Sequence, residues 1–264
     1  MLTRPIIVLT LFTAMIIGLS FWLVNTYQSR THQNDYVSWE MTKDGTYAVR
    51  EGEALDCPEP LILTTPVDIT KLAGILYPGQ VRGPEFKVHG AFRFKEGFAH
   101  DSVVRVPFDA YVKRGHHFIS NGEDQYAFEF QSPCGIAYHF GHLRVLSPKF
   151  AEIIANLPPP DENSQYASLL KPIKVTIGEV VATEVGYAND LNVFVDWGVR
   201  DLRQKNSVTL RSEWSQFSDQ LDQYAICWLD YIPPDDSETL RALHSTGDHE
   251  WGNKSDFCSY PDNR

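Results

Sequence analysis

Four side chains in this sequence could bind a metal ion or form a shielded ion pair: His89, Arg93, His142 and Asp196. Residues 86–94 read as a strand, and strand alternation places His89 and Arg93 on the same face. A second strand-like run carries Asp196 on the face opposite its valines, and His142 follows a third run. Histidine and carboxylate groups are common zinc ligands. Arginine stays protonated in proteins and pairs with a carboxylate instead.

Five segments containing these residues resemble, in their order and spacing, the lysostaphin/LytM-type zinc metalloendopeptidases. They are HGAFRF, VPFDAYV, YHFGHL, IGEVVATEVG and VFVDWGVR. The resemblance covers residues 86–200. It implies a β-rich domain of the type called the duplicated hybrid motif. Members of that family cut peptide cross-links in peptidoglycan with a bound zinc ion.

Transferred residue by residue, the resemblance matches His89 to the first zinc-binding histidine and His142 to a catalytic histidine. Three other positions depart from the family pattern. Arg93 stands at the zinc-binding aspartate, Phe194 at the catalytic histidine of the H-x-H motif, and Asp196 at its metal-binding histidine. A catalytic zinc needs three protein ligands, and arginine cannot lose its charge to become one. We therefore expect no cofactor, and we hypothesise that Arg93 fills the metal position and pairs with Asp196.

These departures predict a pseudoenzyme: a non-catalytic LytM-like domain that binds an envelope polymer or regulates a protein partner in the cell envelope. Two alternatives stay open. The first is an active zinc metalloendopeptidase that cuts peptidoglycan peptides with a rearranged site of His89, His142 and Asp196. The second is an unrelated structural β domain at the cell surface, whose likeness to the family is accidental.

The elements that must position these residues are short strand-like runs between residues 60 and 212, separated by turn signals. They predict a mainly β fold, an antiparallel sandwich or barrel-like domain, at 60–212. One short helix is expected at 147–157, where apolar residues recur at helical spacing after a serine and a proline. The pattern loosens afterwards, so residues 213–264 are predicted to be an irregular C-terminal extension.

The N-terminal segment indicates export. Residues 5–24 are predominantly apolar and carry no charge. This stretch has the length of a membrane-spanning helix. We therefore predict a transmembrane anchor within residues 1–25, with a cleaved signal peptide as the alternative. Residues 26–59 are polar and turn-rich and are interpreted as a stalk. In both cases the rest of the chain lies outside the cytoplasm, membrane-anchored or secreted.

The four cysteines agree with export, because an even number in an exported chain indicates disulfides. Four cysteines allow three pairings. We predict Cys227 with Cys258, which closes the irregular tail, and Cys57 with Cys134. A zinc site made of these cysteines is not expected, because no two of them have the close spacing of zinc-binding motifs.

The composition excludes several classes of function. The 264 residues include 23 lysines and arginines against 34 aspartates and glutamates, a net charge of −11. Nucleic acids and anionic membrane surfaces require a basic footprint, so neither is an expected partner. At 43% hydrophobic and 12% aromatic residues, the chain has enough apolar material for a packed core and is not a disordered protein.

Overall fold

The computed structural model describes residues 36–82, 85–160, 168–188, 192–206, 222–245 and 258. These ranges contain fourteen strands and two α-helices. The helices are α1 (Pro148–Ala155) and α2 (Pro234–Ala242). The strands are, in chain order, β1 (Ser38–Met41), β2 (Tyr47–Glu51), β3 (Leu72–Leu76), β4 (Gln80–Arg82), β5 (Glu85–Lys87), β6 (Gly90–Phe94), β7 (Val104–Arg105), β8 (Ala110–Ser120), β9 (Glu123–Gln131), β10 (Ile136–Leu146), β11 (Ser168–Val175), β12 (Val180–Val185), β13 (Phe194–Asp201) and β14 (His244–Ser245).

One large sheet holds most of the strands, in the order β11-β8-β9-β10-β13-β6-β3-β14. Strand β12 also pairs with β10, and β7 pairs with β12. Two hairpins, β1-β2 and β4-β5, form separate small sheets. The β-rich class predicted from the sequence is confirmed. The large sheet is mixed, however, because β14 runs parallel to β3 while the other pairings are antiparallel.

The core lies against one face of the large sheet. Strand β13 shows why: its residues Val195, Trp197 and Val199 are buried, and the residues between them face the other way. Neighbouring strands add a stacked aromatic layer, in which Trp197 packs on Phe92 and Phe140 with ring centroids 5.4 and 6.4 Å apart. The alternation of β13 thus leaves Asp196 on the face away from the core.

Helix α1 closes one side of the core and confirms the predicted short helix. It begins at Pro148, whose fixed φ suits a first turn. Phe150, Ile153 and Ile154 are buried, as their helical spacing indicates. The ring of Phe150 meets that of Phe128 edge-on, with centroids 5.0 Å apart.

The C-terminal extension is part of the core, which the irregular pattern after residue 213 did not predict. Trp228 is fully buried between Phe92 and Trp197, with ring centroids 5.0 and 4.8 Å away. The extension also contains a second helix, α2, where the sequence predicted none. Its amphipathic signal is weak because Leu240 is its one buried residue.

The part of the predicted stalk that the structure describes, residues 36–59, contains a folded hairpin. Hairpin β1-β2 docks on the domain instead of leading away from it. The Trp39 backbone N–H donates to Gln131 Oε1 at 2.9 Å, and Trp39 Nε1 donates to the carbonyl oxygen of Pro133 at 3.2 Å. The sequence did not predict these contacts, because each is made to a residue more than 90 positions away.

Both predicted disulfides are present. Cys57 is bonded to Cys134 and Cys227 to Cys258, with Cα–Cα distances of 5.1 and 5.0 Å. The first ties the segment after β2 to the turn before β10, and the second ties the extension to itself.

The predicted anchor, residues 1–25, lies outside the described residues. Among the helices that the structure does describe, none has the length and apolar character to cross a membrane.

Candidate functional site

The candidate site is on the face of the sheet away from the core, where β6, β13 and β10 lie side by side. In register, Trp197 lies opposite Gly90 and Asp196 opposite Ala91. This brings His89, just before β6, next to the outward-facing Asp196. His89 Nε2 is 3.4 Å from Asp196 Oδ2, and their side chains are 23% and 18% exposed. Both side chains are therefore partly accessible to solvent.

His142 joins the same carboxylate because β10 is irregular at this point. Alternation from Tyr138 and Phe140, both buried, would send the side chain of His142 into the core. Instead its φ is +58°, and the pairing with β9 shifts between Phe140 and Leu143. A bulge of this kind re-aims a side chain. His142 Nε2 consequently lies 3.7 Å from Asp196 Oδ2.

A glycine lies opposite Asp196 on the neighbouring strand β10. Gly141 is the β10 partner of Asp196, and a Cβ placed there would lie 3.6 Å from Asp196 Oδ2. The carboxylate is thus bordered by two imidazoles and by a position without a side chain.

Aromatic rings wall the site on the side of His142. The ring of Phe194 is 4.4 Å from that of His142, centroid to centroid, and Tyr187 and Phe118 lie at 6.1 and 6.0 Å. Burial lowers the pKa of His142, and neighbouring His89 lowers it further, whereas Asp196 raises it. Burial, the largest of these effects, thus favours the neutral imidazole of His142.

A third histidine supports the first. His139 lies against Gly198, its partner on β13, and its ring meets that of His89 edge-on with centroids 5.4 Å apart. Arg200 Nη1 is 3.4 Å from His139 Nδ1. Burial, and then the charge of Arg200, hold the pKa of His139 well below its ordinary value.

The structure brings together three of the residues singled out from the sequence: His89, His142 and Asp196. Arg93 lies opposite Phe194 in the β6-β13 pairing, one diagonal step from Asp196 and on the same face. An arginine side chain can span that step, and its pairing with Asp196 stays a prediction.

Sequence reasoning assigned no role to two residues of this region, Gln125 and Gly198. Gln125 is fully buried beneath His142. Its Oε1 lies 3.3 Å from Nδ1 of His142. A single glutamine in a strand gives no sequence signal. Gly198 did give a sequence signal, because a glycine inside a strand often marks the close approach of another group.

The candidate site does not contain an assembled set of metal ligands in the described residues. Across the described ranges, no group of three or more His, Cys, Asp or Glu side chains is placed to hold a metal ion. Asp196 Oδ2 touches the two imidazoles individually, at 3.4 and 3.7 Å.

Comparisons with known proteins give one distant structural similarity. No protein-family model matches the chain, and no curated protein matches it. Among solved structures, that of Helicobacter pylori Csd3, from an orthorhombic crystal, is similar with a TM-score of 0.36 and 14% sequence identity. The similarity covers 75% of this chain and 41% of Csd3. The chain thus matches less than half of that protein's length, and a similarity this weak does not decide fold or function.

Proposed function

We propose that this chain is an extracytoplasmic binding module, built on a degenerate LytM-like β domain, that binds a cell-envelope polymer or a protein partner. The observation that carries the proposal is the contact of Phe194 with His142. In the family that the sequence resembles, a catalytic histidine occupies the position of Phe194. A phenyl ring has no proton to exchange, so the chain lacks one of the two histidines that such a peptidase uses for acid–base chemistry.

The residues at the family's three ligand positions do not fit a zinc ion. His89 and Asp196 offer lone pairs, but the guanidinium of Arg93 has N–H donors and no acceptor. Its fixed charge also opposes a cation at that position. The proposal therefore includes no hydrolytic step.

Export is supported by the two disulfides. Such bonds persist in oxidising environments outside the cytoplasm and are rare inside it. We further propose that residues 1–25 anchor the chain to the membrane, because their apolar stretch has the required length.

Sedimentation with purified peptidoglycan tests the binding role. The full-length chain, in mild detergent with added zinc, is mixed with cross-linked peptidoglycan, and the pellet and the released peptides are analysed. We expect the chain in the pellet and no released peptides. Release of peptides would overturn the non-catalytic role. Failure to sediment would remove this polymer as the ligand and leave a protein partner.

Two designed variants test whether the domain still has a LytM-like scaffold and lacks only the family's zinc ligands and catalytic histidine. Arg93→Asp with Asp196→His restores the family's zinc ligands, and adding Phe194→His restores its catalytic histidine. We expect both variants to bind zinc and only the second to cut peptidoglycan peptides. Zinc binding by neither variant would argue against a LytM-like scaffold and favour an unrelated structural domain.

A second candidate function, an active zinc metallopeptidase with a rearranged site, is favoured by one observation. Asp196 contacts two imidazole nitrogens, and two histidines with one carboxylate are a known ligand set for catalytic zinc. Under this function the wild-type chain would release peptides, and His89→Ala would abolish both the release and stoichiometric zinc.

A further inference from the structure

Residues 36–51, which contain hairpin β1-β2, form an arm across one end of the sheet face that carries the candidate site. Lys113 on β8 donates to Ser38 Oγ at 3.1 Å and to the hydroxyl of Tyr36. Further along the arm, the N–H of Trp39 donates to Gln131 Oε1 at 2.9 Å. Gln131 Nε2 donates back to the carbonyl oxygen of Trp39 at 3.0 Å. One side-chain amide of β9 thus holds the backbone of the arm through both of its ends.

The tip of the arm reaches the chain beside β13. The Tyr224 hydroxyl donates to the carbonyl oxygen of Gly45 at 3.0 Å, and the rings of Tyr224 and Tyr47 meet edge-on with centroids 5.0 Å apart. The next residue, Ala225, pairs with Arg200 of β13. The arm therefore crosses the sheet from β8, past β9, to the strand that carries Asp196.

The surface at the arm belongs to the same face as the candidate site. Gln131, Ala137 and Arg200 lie side by side on β9, β10 and β13. The residue before each of them belongs to the core, so all three face outward. Asp196 faces the same way four residues along β13, which corresponds to about 13 Å at the rise of a strand. The arm therefore lies at the end of the outer face next to the candidate site.

Few apolar contacts hold the arm in place. Val37 is its one buried apolar side chain, and none of the described residues of the main core comes from the arm. The arm forms a two-stranded sheet of its own and does not extend the large sheet. A two-stranded hairpin alone is at best marginally stable in water, and segments with few buried apolar contacts open at low free energy. The contacts with the sheet therefore decide whether the arm stays folded.

We propose that the arm is a releasable cover, which opens and closes while the large sheet stays folded and so controls access to the outer face beside the candidate site. The Cys57–Cys134 disulfide suits this role, because it holds the chain six residues after β2 next to the turn that Trp39 contacts. The near end of a released arm stays within about 20 Å of this point, so the arm can return. This inference adds regulation to the proposed binding site and rests on that proposal for the identity of the ligand.

Hydrogen–deuterium exchange with mass spectrometry tests the release, on the full-length chain in mild detergent at pH 7.5 without any ligand. We expect peptides from residues 36–51 to exchange faster than peptides from β10 and β13. Gln131→Glu removes the N–H group that bonds the carbonyl of Trp39, so it should speed exchange in the arm by about 10-fold and leave β10 and β13 unchanged.

Gln125→Glu is the matched control. Gln125 is also a buried glutamine on β9, but its Nε2 donates to the carbonyl oxygen of Gly186, away from the arm. This variant also places a carboxylate in the buried part of β9, and it should leave exchange in the arm unchanged.

Acetylation of lysine side chains measures access to the covered surface. The ammonium group of Lys113 bonds the arm, whereas that of Lys149 bonds Glu179 at 2.7 Å, and Glu179 is not part of the arm. We expect Gln131→Glu to raise the acetylation rate of Lys113 about 10-fold relative to Lys149, because release of the arm frees the Lys113 ammonium group.

The possible results separate this inference from the proposed function. Exchange in the wild-type arm as slow as in β10 and β13 would show that it opens only with the whole domain, and would overturn the release. Equal acceleration of the arm in Gln125→Glu, or of β10 and β13 in Gln131→Glu, would show a general loss of stability and overturn the role of the docking contacts. An unchanged Lys113 rate would overturn the control of access. None of these results depends on whether peptidoglycan is bound or cut.

Discussion

Replacing Gly198 by alanine tests the packing beneath the candidate site. Gly198 lies in β13 beneath the ring of His139. A Cβ at this position would lie 2.7 Å from His139 Nδ1 and 3.0 Å from the Cβ of His89. The first distance is shorter than Cβ contacts in proteins, the second is tighter than most of them, and neither neighbour is the free end of a flexible side chain. The ring of His139 must therefore shift, and its contact with Arg200 must change.

The magnitude follows from comparison with Gly141→Ala on the adjacent strand. There a Cβ would have Asp196 Cβ as its nearest neighbour, at 3.4 Å, an ordinary contact. Each substitution gains about 0.4–1 kcal/mol by restricting the unfolded chain. Overpacking at Gly198 costs about 1–3 kcal/mol, so Gly198→Ala should be less stable than Gly141→Ala by that amount.

Urea unfolding of the full-length chain at pH 7.5, followed by tryptophan fluorescence, measures this difference. A third variant, His139→Ala, supplies the double-mutant cycle, since most of the cost of Gly198→Ala should vanish once the ring is absent and only the contact with the Cβ of His89 remains. If Gly198→Ala and Gly141→Ala changed the free energy of unfolding equally, the packing of His139 over Gly198 would be refuted. A Gly198→Ala cost that was undiminished without the ring would refute its assignment to His139.

Three further predictions use the same unfolding measurement. Trp228→Ala should lower the free energy of unfolding by about 3–5 kcal/mol because it removes a fully buried ring from the core, whereas a detached extension would show no effect. Serine at Cys57 and Cys134 should cost about 4.5 kcal/mol in the chain-entropy model for a 77-residue separation, and reduction of the wild type should cost more, because it also breaks Cys227–Cys258. Stability should fall below pH 6.5, the ordinary pKa of His139, because the unfolded chain binds a proton that the folded one does not. This group contributes a fall of up to about 1.4 kcal/mol per pH unit. The fall should therefore be smaller in His139→Asn than in the wild type. Equal falls in both chains would refute the assignment to His139.

Local patterns predicted the features that depend on local rules. The alternation of β13 placed Asp196 on the face opposite Val195 and Trp197, and the structure has it there. The spacing of apolar residues predicted α1, because an amphipathic helix shows its buried face in the sequence. Both disulfides were predicted from the number and location of the cysteines in an exported chain.

Features that depend on distant contacts were not predictable. Trp228 lies in an irregular stretch, and only the space beside Phe92 and Trp197 makes it a core residue. Hairpin β1-β2 reads as a polar stalk because its partners, such as Gln131, are far away in sequence. Neither pairing leaves a local pattern from which it could be inferred.

The position of His142 shows most clearly why the site needed a structure. Alternation along β10 assigns this side chain to the core with Tyr138 and Phe140, whereas the left-handed backbone at His142 turns it toward Asp196. A non-glycine residue with positive φ is uncommon and costs about 1–3 kcal/mol, which the surrounding structure must offset. The backbone bond from Gly186 N–H to the His142 carbonyl, at 2.7 Å, holds the irregular strand, and Gln125 bonds both the ring of His142 and the carbonyl of Gly186. One hydrogen-bonded unit thus fixes the bulge and the direction of the ring together, so the same contacts that permit the strained backbone also turn His142 toward Asp196.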